Sequence, residues 1–430
     1  MSMRPSATAP SNFPLGKDPN SEWNSLLALV QPGPELKSVA RTTGALIRTR
    51  AVDGVEGLLR LALTYSVCNL SLKATAAWSR LNGSASMSKW GVRLRLLNAG
   101  DWLMALISRK LAERAPVPAV AGFRVHVVDA SRVAVPGSKG EASRLHAVID
   151  PFTGRLVDLD LTDDSGGERL GRFQFGPGAL VLGDRGYAHR GGLAGVVAAG
   201  ADFVVRINAQ NVPLEHRDGS TFDMFAFLRG LRGHEPGDVE VQTQADRRHG
   251  IPTVPCRLVA VRKPEAAAEA ARKKVIAEAR KKKRQPDPKT LEACNYMMVL
   301  TSVDRARLDA TQALAMYRLR WQVELAFKRM KSLLDLDVLR AKDARLVKTT
   351  LAGKLLAVLL IDELAEKAGV PVDWSFTSFV AHAIRQTILG AQAAKRILMN
   401  PGGSIADLTE RPRSRQQQGP VAKALLLDLA

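Results

Sequence analysis

The stretch YRLRWQVELAFKRMK, residues 317–331, decides the fold. Wound at about 100° per residue with Tyr317 at the origin, a helix places Arg320, Glu324 and Lys331 within about 60° of it, so a phenol, two cations and an acid share one narrow face. Leu319, Val323, Ala326, Phe327, Met330 and Leu333 fall on a separate apolar face that can pack on a sheet. A ladder of ion pairs on a solvated face would account for Arg320 and Glu324, but not for Tyr317 on the same line. Upstream, Asp309 and Gln312 have the spacing of a capping box, and the pattern reads as one helix over residues 309–336.

A sheet for this helix lies earlier in the chain. Short β-like runs occupy residues 123–128 (FRVHVV), 144–149, 155–161, 179–182 (ALVL) and 202–207, with a Gly/Ala-rich helix near residues 192–199 between the last two. Strands in succession, then strands alternating with helices, describe a mixed sheet covered by helices. Asp129 closes one apolar strand (VHVVDAS) and Asp184 closes another (ALVLGDRGY), and a carboxylate at the end of a strand points into the crevice where open α/β sheets bind ligands. If the two strands are neighbours, both carboxylates can serve one metal. Further strands are expected in residues 239–263 and 295–302.

The remainder of the chain is helical and basic. Residues 1–20, rich in Pro, Ser and Asn, are expected to be disordered. Residues 21–115 carry helical spacing (Leu58, Leu59, Leu61, Leu63; Trp102, Leu103, Leu106, Ile107), broken at Gly83 and Gly100. The first 115 residues hold 15 basic and 7 acidic side chains, a net +8 that suits a small helical DNA-binding domain, although a packing or dimerisation module with a wet basic face has the same composition. Residues 263–289 carry a net +6 on a helix-favouring sequence with almost no apolar stripe, either an exposed arm near phosphates or a solvated spacer. The expected division is a catalytic α/β domain of residues 116–207 and 306–342, a β-rich insertion of residues 208–305, and a C-terminal helical region of residues 343–430 for dimerisation or synapsis. Within the last, helices are expected over residues 344–367 and 375–398, followed by a polar tail.

Composition narrows the function. A formal charge of +20 over 430 residues points to polyanions. Three cysteines without a C-x-x-C pair exclude a disulfide scaffold and a cysteine zinc site, and fit a reducing cytoplasm. The first twenty residues have no signal-peptide core, and no run approaches the ~18 apolar residues of a membrane span.

The spacing Y-x2-R-x3-E-x6-K, met by Tyr317, Arg320, Glu324 and Lys331, resembles that of the bacterial insertion-sequence transposases named for those four residues, a branch of the DDE transposases. D-A-S at Asp129, D-R-G-Y at residues 184–187 and FVVRIN at residues 203–208 are similar as well. The resemblance covers residues 80–370; Ala130 departs from it, where many relatives have Gly. It implies a ribonuclease H-like fold with a mostly β insertion before the Glu helix. It also implies catalytic and metal-binding roles for Asp129, Asp184 and Glu324, with Arg320 and Lys331 holding DNA phosphates and Tyr317 supporting that contact.

Cleaving a phosphodiester and attacking another with the freed 3′-hydroxyl suits a pair of divalent ions. Hard carboxylate ligands select Mg²⁺, with Mn²⁺ as substitute, and Asp129 would bridge both ions. The partners expected are double-stranded DNA, as inverted-repeat ends and target, and a second copy of the chain in a homodimer. A DNA-binding protein that keeps the fold without chemistry is the main alternative, opposed by the intact triad; a simple nuclease would not need the basic helical amino-terminal domain.

Other patterns carry less. Asp158 and Asp160 share the polar face of a strand, and VPGSKG (residues 135–140) lacks P-loop spacing. His126 and His146 read as core or partner-bonded histidines, and Glu168, after a TDD turn, as a solvated loop acid outside the site.

Overall fold

The computed structural model describes residues 21–31, 33–47, 52–81, 84–134, 143–163 and 165–390. The expected disorder of residues 1–20, the VPGSKG loop, the break at Gly83 and everything after residue 390 lie outside the described residues. The described residues divide into two compact units, one drawn from residues 21–110, 345–360 and 378–390 and the other from residues 111–344 and 361–377.

The first unit is helical. It contains α1 (Ser21–Val30), α2 (Gly33–Thr42), α3 (Gly54–Ser66), α4 (Leu72–Leu81), α5 (Lys89–Leu97) and most of α6 (Ala99–Ala112). Leu58, Leu59, Leu61, Leu63, Trp102, Leu103, Leu106 and Ile107 are all buried, as their spacing requires. Gly100 does not break the chain; it lies inside α6 because a methyl group there would stand 3.2 Å from the Thr349 hydroxyl, so glycine serves a close approach.

The second unit is built on one nine-stranded sheet of order β3-β2-β1-β4-β5-β9-β8-β7-β6. Strands β1 (Arg124–Val133), β2 (Ser143–Ile149) and β3 (Leu156–Thr162) form an antiparallel meander, and β4 (Ala179–Gly183) and β5 (Asp202–Arg206) extend it parallel to β1, with α7 (Arg190–Ala198) as the crossover. That order of five strands is the ribonuclease H-like arrangement. ALVL in β4 is buried throughout, as are the valines of VHVV in β1, because helices cover the sheet.

The segment between β5 and the Glu324 helix adds β6 (Leu214–Glu215), α8 (Met224–Gly230), β7 (Gly237–Thr243), β8 (Pro255–Arg262), α9 (Glu265–Lys281), α10 (Pro288–Ala293) and β9 (Tyr296–Thr301). β9 pairs antiparallel with both β5 and β8, so these strands prolong the same sheet. On α9 only Ala268 and Ala279 are buried, which agrees with an exposed charged helix.

The helix expected over residues 309–336 is two: α11 (Ala310–Arg318) and α12 (Trp321–Leu334). Between them Leu319, Arg320, Gln322 and Val323 donate backbone hydrogen bonds to residues three back, at 2.9–3.2 Å, a tightened 3₁₀-like turn. The capping box forms as read: Asp309 Oδ1 accepts from the Gln312 amide at 2.8 Å, and Gln312 Oε1 from the Asp309 amide at 2.9 Å. Val323, Ala326, Phe327 and Met330 are buried, while Leu334 rather than Leu333 completes the face. α12 ends at Asp335 in the left-handed conformation, and the Leu336 amide returns to Met330 O at 3.1 Å.

α13 (Ala344–Ala368) gives residues 345–360 to the first unit and its end to the second; α14 (Trp374–Leu389) is divided likewise at residue 378. Asp362 on the end of α13 is buried, accepting from the Leu156 amide at 2.9 Å and from Arg114 at 3.1 Å. Among the described residues no helix is long and apolar enough to cross a membrane.

Candidate active site

Register brings the two aspartates together. β1 and β4 run parallel with Val128 opposite Gly183, so Asp129 and Asp184 are the next residues on neighbouring strands. Asp129 is not at the end of its strand, as expected from the sequence: β4 stops at Gly183, while β1 continues along β2 to Val133. Asp129 therefore sits where β1 loses its β4 neighbour and the crevice opens. Asp184 opens the Arg185–Tyr187 turn.

α11 packs against β4 and β5, and α12 against β1. This packing brings Tyr317 and Arg320 to the aspartates, with Glu324 held on Arg320, and sets Lys331 beside the end of β1. The Tyr317 hydroxyl donates to Asp184 Oδ1 at 3.4 Å. Arg320 lies between two acids, with Nη1 3.7 Å from Asp129 Oδ2 and Nη2 2.6 Å from Glu324 Oε1. Its guanidinium also stands 5.8 Å from the Tyr317 ring centroid. Lys331, two turns on, donates to Arg132 O at 3.3 Å beside the end of β1.

The electrostatics follow from burial. Burial, with the charges of Glu168 and Asp184, pushes the Asp129 carboxyl up to about 6, against the Ala130 amide and Arg320, which favour the ionised form. Burial and Asp184 likewise push Tyr317 up to about 12, so its hydroxyl remains a donor. Burial works against the Arg320 charge, but Tyr317, Glu324 and Asp184 together outweigh it and raise its pKa.

Two residues join this neighbourhood that the sequence reading left out. The Glu168 carboxylate, half-buried rather than solvated, lies over Gly186 and acts electrostatically on Asp129. Tyr187 is fully buried, and among the described residues its hydroxyl has no hydrogen-bond partner. No local pattern marks Glu168; the D-R-G-Y turn was the only signal, since its glycine leaves the room that Glu168 occupies. Of the remaining candidates, Asp160 pairs with Arg172 at 2.8 Å, His146 Nε2 meets the Thr162 hydroxyl at 3.1 Å, and the His126 ring centroid lies 5.9 Å from that of Phe175.

The donor set suits a hard divalent cation. Carboxylates from β1 and the end of β4 stand side by side, and the only cation spanning Asp129 and Glu324 among these residues is the Arg320 side chain. As they stand, no three His, Cys, Asp or Glu side chains among the described residues form a ready cage, and Glu324 is engaged by Arg320. Coordination by all three acids thus requires these side chains to draw closer together.

Two half-buried aspartates on neighbouring strands, beside a third acid on a packed helix and on a ribonuclease H-like sheet, are the donor set expected of a DDE-type phosphoryl-transfer enzyme. Residues 121–360 match the transposase DDE domain family, more than half of the chain, which belongs to that family and is a DNA transposase. The chain is 37% identical over 351 residues to the InsL transposase of insertion sequence element IS186A from Escherichia coli K12, covering 81% of this chain and 95% of that protein. It is equally 37% identical, over 352 residues and the same shares, to the Escherichia coli transposase for insertion sequence element IS421. A solved piggyBac transposase synaptic complex with hairpin DNA aligns at a TM-score of 0.44 and 10% identity, over 90% of this chain and 84% of that one.

Proposed function

We propose that this transposase binds the terminal inverted repeats of a bacterial insertion sequence in the cytoplasm, pairs two ends as a homodimer, and cleaves and joins DNA strands through Asp129, Asp184 and Glu324 with Mg²⁺, which Mn²⁺ can replace. One observation carries the reading: a single short helical span sets Tyr317 on Asp184 and Arg320 on both Asp129 and Glu324. Residues far apart in sequence meet with the charge that phosphoryl transfer needs, three acids for cations and a guanidinium for phosphate.

Divalent ions held by the three carboxylates would activate an oxygen nucleophile and neutralise the departing 3′-oxygen. The chain's own residues do the rest. Asp129, beside Asp184 across the β1–β4 register and linked to Glu324 through Arg320, would hold a cation together with these two acids. Arg320 keeps Glu324 in position until a DNA phosphate offers its guanidinium a competing acceptor, for which its planar fork is suited. Release of Glu324 and capture of the phosphate are then one movement. Lys331 adds a point charge farther along the same face, and Tyr317 holds Asp184.

Glu324→Gln tests the assignment, because it keeps size and helix propensity but removes the anionic oxygens. With labelled end DNA, we expect strand cleavage to fall at least about 1,000-fold while DNA binding stays near that of the native chain. Cleavage at the native rate would remove Glu324 from the site, and equal loss of binding would assign α12 a folding role.

A further inference from the structure

Glu168 lies between β3 and the Leu170–Arg172 turn, yet its carboxylate reaches the turn that carries Asp184. A methyl group built on Gly186 would come within 1.5 Å of Glu168 Oε2 and 2.8 Å of its Cδ, so the carboxylate fills the space that glycine leaves. Gly186 is two residues after Asp184, and the Glu168 charge is also felt by Asp129 and Tyr187. Among the described residues no hydrogen bond or ion pair engages this carboxylate. The nearest arginine in sequence beyond Arg169, Arg172, is committed to Asp160 and to the Gly167 carbonyl.

The buried Tyr187 hydroxyl is the complementary anomaly. It is buried and, among the described residues, unpartnered, a condition folded proteins ordinarily avoid, and the acids that act on it electrostatically are Asp129 and Glu168. A half-buried acid without a cation and a buried donor without an acceptor thus share the pocket of Asp129 and Asp184. A divalent cation drawn in by the acids would meet the first need, and a carboxylate turned to receive the phenol would meet the second.

We propose that Glu168 is a fourth carboxylate of the metal pocket, positioning the divalent cation beside Asp129 and Asp184, and that the Tyr187 hydroxyl orients it by hydrogen bond. This rests on the reading of Asp129 and Asp184 as metal ligands. Gly186 belongs to the same device, since any larger residue would displace Glu168.

The test is Mn²⁺ binding to the full chain without DNA, followed by the electron paramagnetic resonance of free Mn²⁺. Glu168→Gln should raise the Mn²⁺ Kd about 10-fold or more, with the melting temperature in chelator unchanged or higher, because a repelling charge is gone. Tyr187→Phe keeps the ring and loses a hydroxyl that has no partner in the structure, so it should leave the melting temperature in place and raise the Kd about threefold. Unchanged Mn²⁺ affinity in Glu168→Gln would overturn the proposal, as would a Tyr187→Phe chain that melts lower while binding Mn²⁺ normally. Asp184→Asn in the same titration separates the two layers. Its retention of Mn²⁺ binding would defeat the underlying site, whereas loss in Asp184→Asn alone would defeat only the fourth carboxylate.

Discussion

Two helical regions of the second unit, the α11–α12 pair and α9, both mix basic and acidic side chains and behave oppositely in the fold. On α11 and α12, Tyr317, Arg320 and Glu324 are turned onto the sheet and engage Asp184, Asp129 and one another. On α9 the charges face solvent, with pairs such as Lys273 to Glu269 at 2.8 Å between exposed side chains. The difference lies in the apolar stripe. Val323, Ala326, Phe327 and Met330 anchor α12 and fix which way its charges point, whereas α9 buries only two alanines. Charge becomes a site where packing holds it against other charge in low dielectric, and stays a solvated face where nothing does.

The largest effect that would sharpen this contrast is Arg320→Ala. It removes the cation shared by Asp129 and Glu324, so Mn²⁺ binding to the free chain should not weaken, while strand cleavage should fall about 100-fold through loss of the phosphate partner. Weaker Mn²⁺ binding would mean that Arg320 holds the acids in place for the ion.

An intermediate effect concerns protons. The Asp129 carboxyl titrates near 6 in the fold against a usual 3.8, so the metal-free chain binds more protons folded than unfolded in that window and should lose stability as pH rises from 3.8 to about 6. Protons and the cation compete for the same oxygens, so the Mn²⁺ Kd should rise as pH falls below about 6. A Kd independent of pH from 5 to about 7 would show that Asp129 is not a ligand.

The smallest effect is expected on α9. Replacing Lys273, Lys274, Lys281 and Lys282 by alanine should leave cleavage unchanged and lower DNA affinity less than about threefold at ~0.15 M salt. A larger loss, with the log-log salt slope reduced by about 0.9 per phosphate contact removed, would put α9 on the DNA and erase the contrast.

Much of this was legible because it depends on short-range rules. The Asp309–Gln312 capping box, the apolar stripe of α12 and the runs in β1 and β4 follow from local chemistry, and the Tyr-Arg-Glu-Lys spacing follows from helix geometry. Features set by distant chain were not legible. Nothing near Gly100 reveals that Thr349 will press against it, and nothing in the TDD turn reveals that Glu168 will reach Gly186. Linear order also hides the grouping of residues 345–360 with the amino-terminal helices. The tightened turn at residues 319–320 has no glycine or proline to announce it; its hydrogen bonds shorten to three-residue spacing while the side-chain pattern continues unbroken.

The central claim is that Asp129, Asp184 and Glu324 act through a bound divalent cation, and an Asp184→Cys chain tests it most directly. A thiolate is a poor ligand for Mg²⁺ and a better one for softer Mn²⁺. With labelled end DNA, the account predicts cleavage lost by at least about 1,000-fold in Mg²⁺ and substantially recovered in Mn²⁺, with DNA binding intact under both ions. Equal cleavage by the variant and the native chain in Mg²⁺ would contradict it.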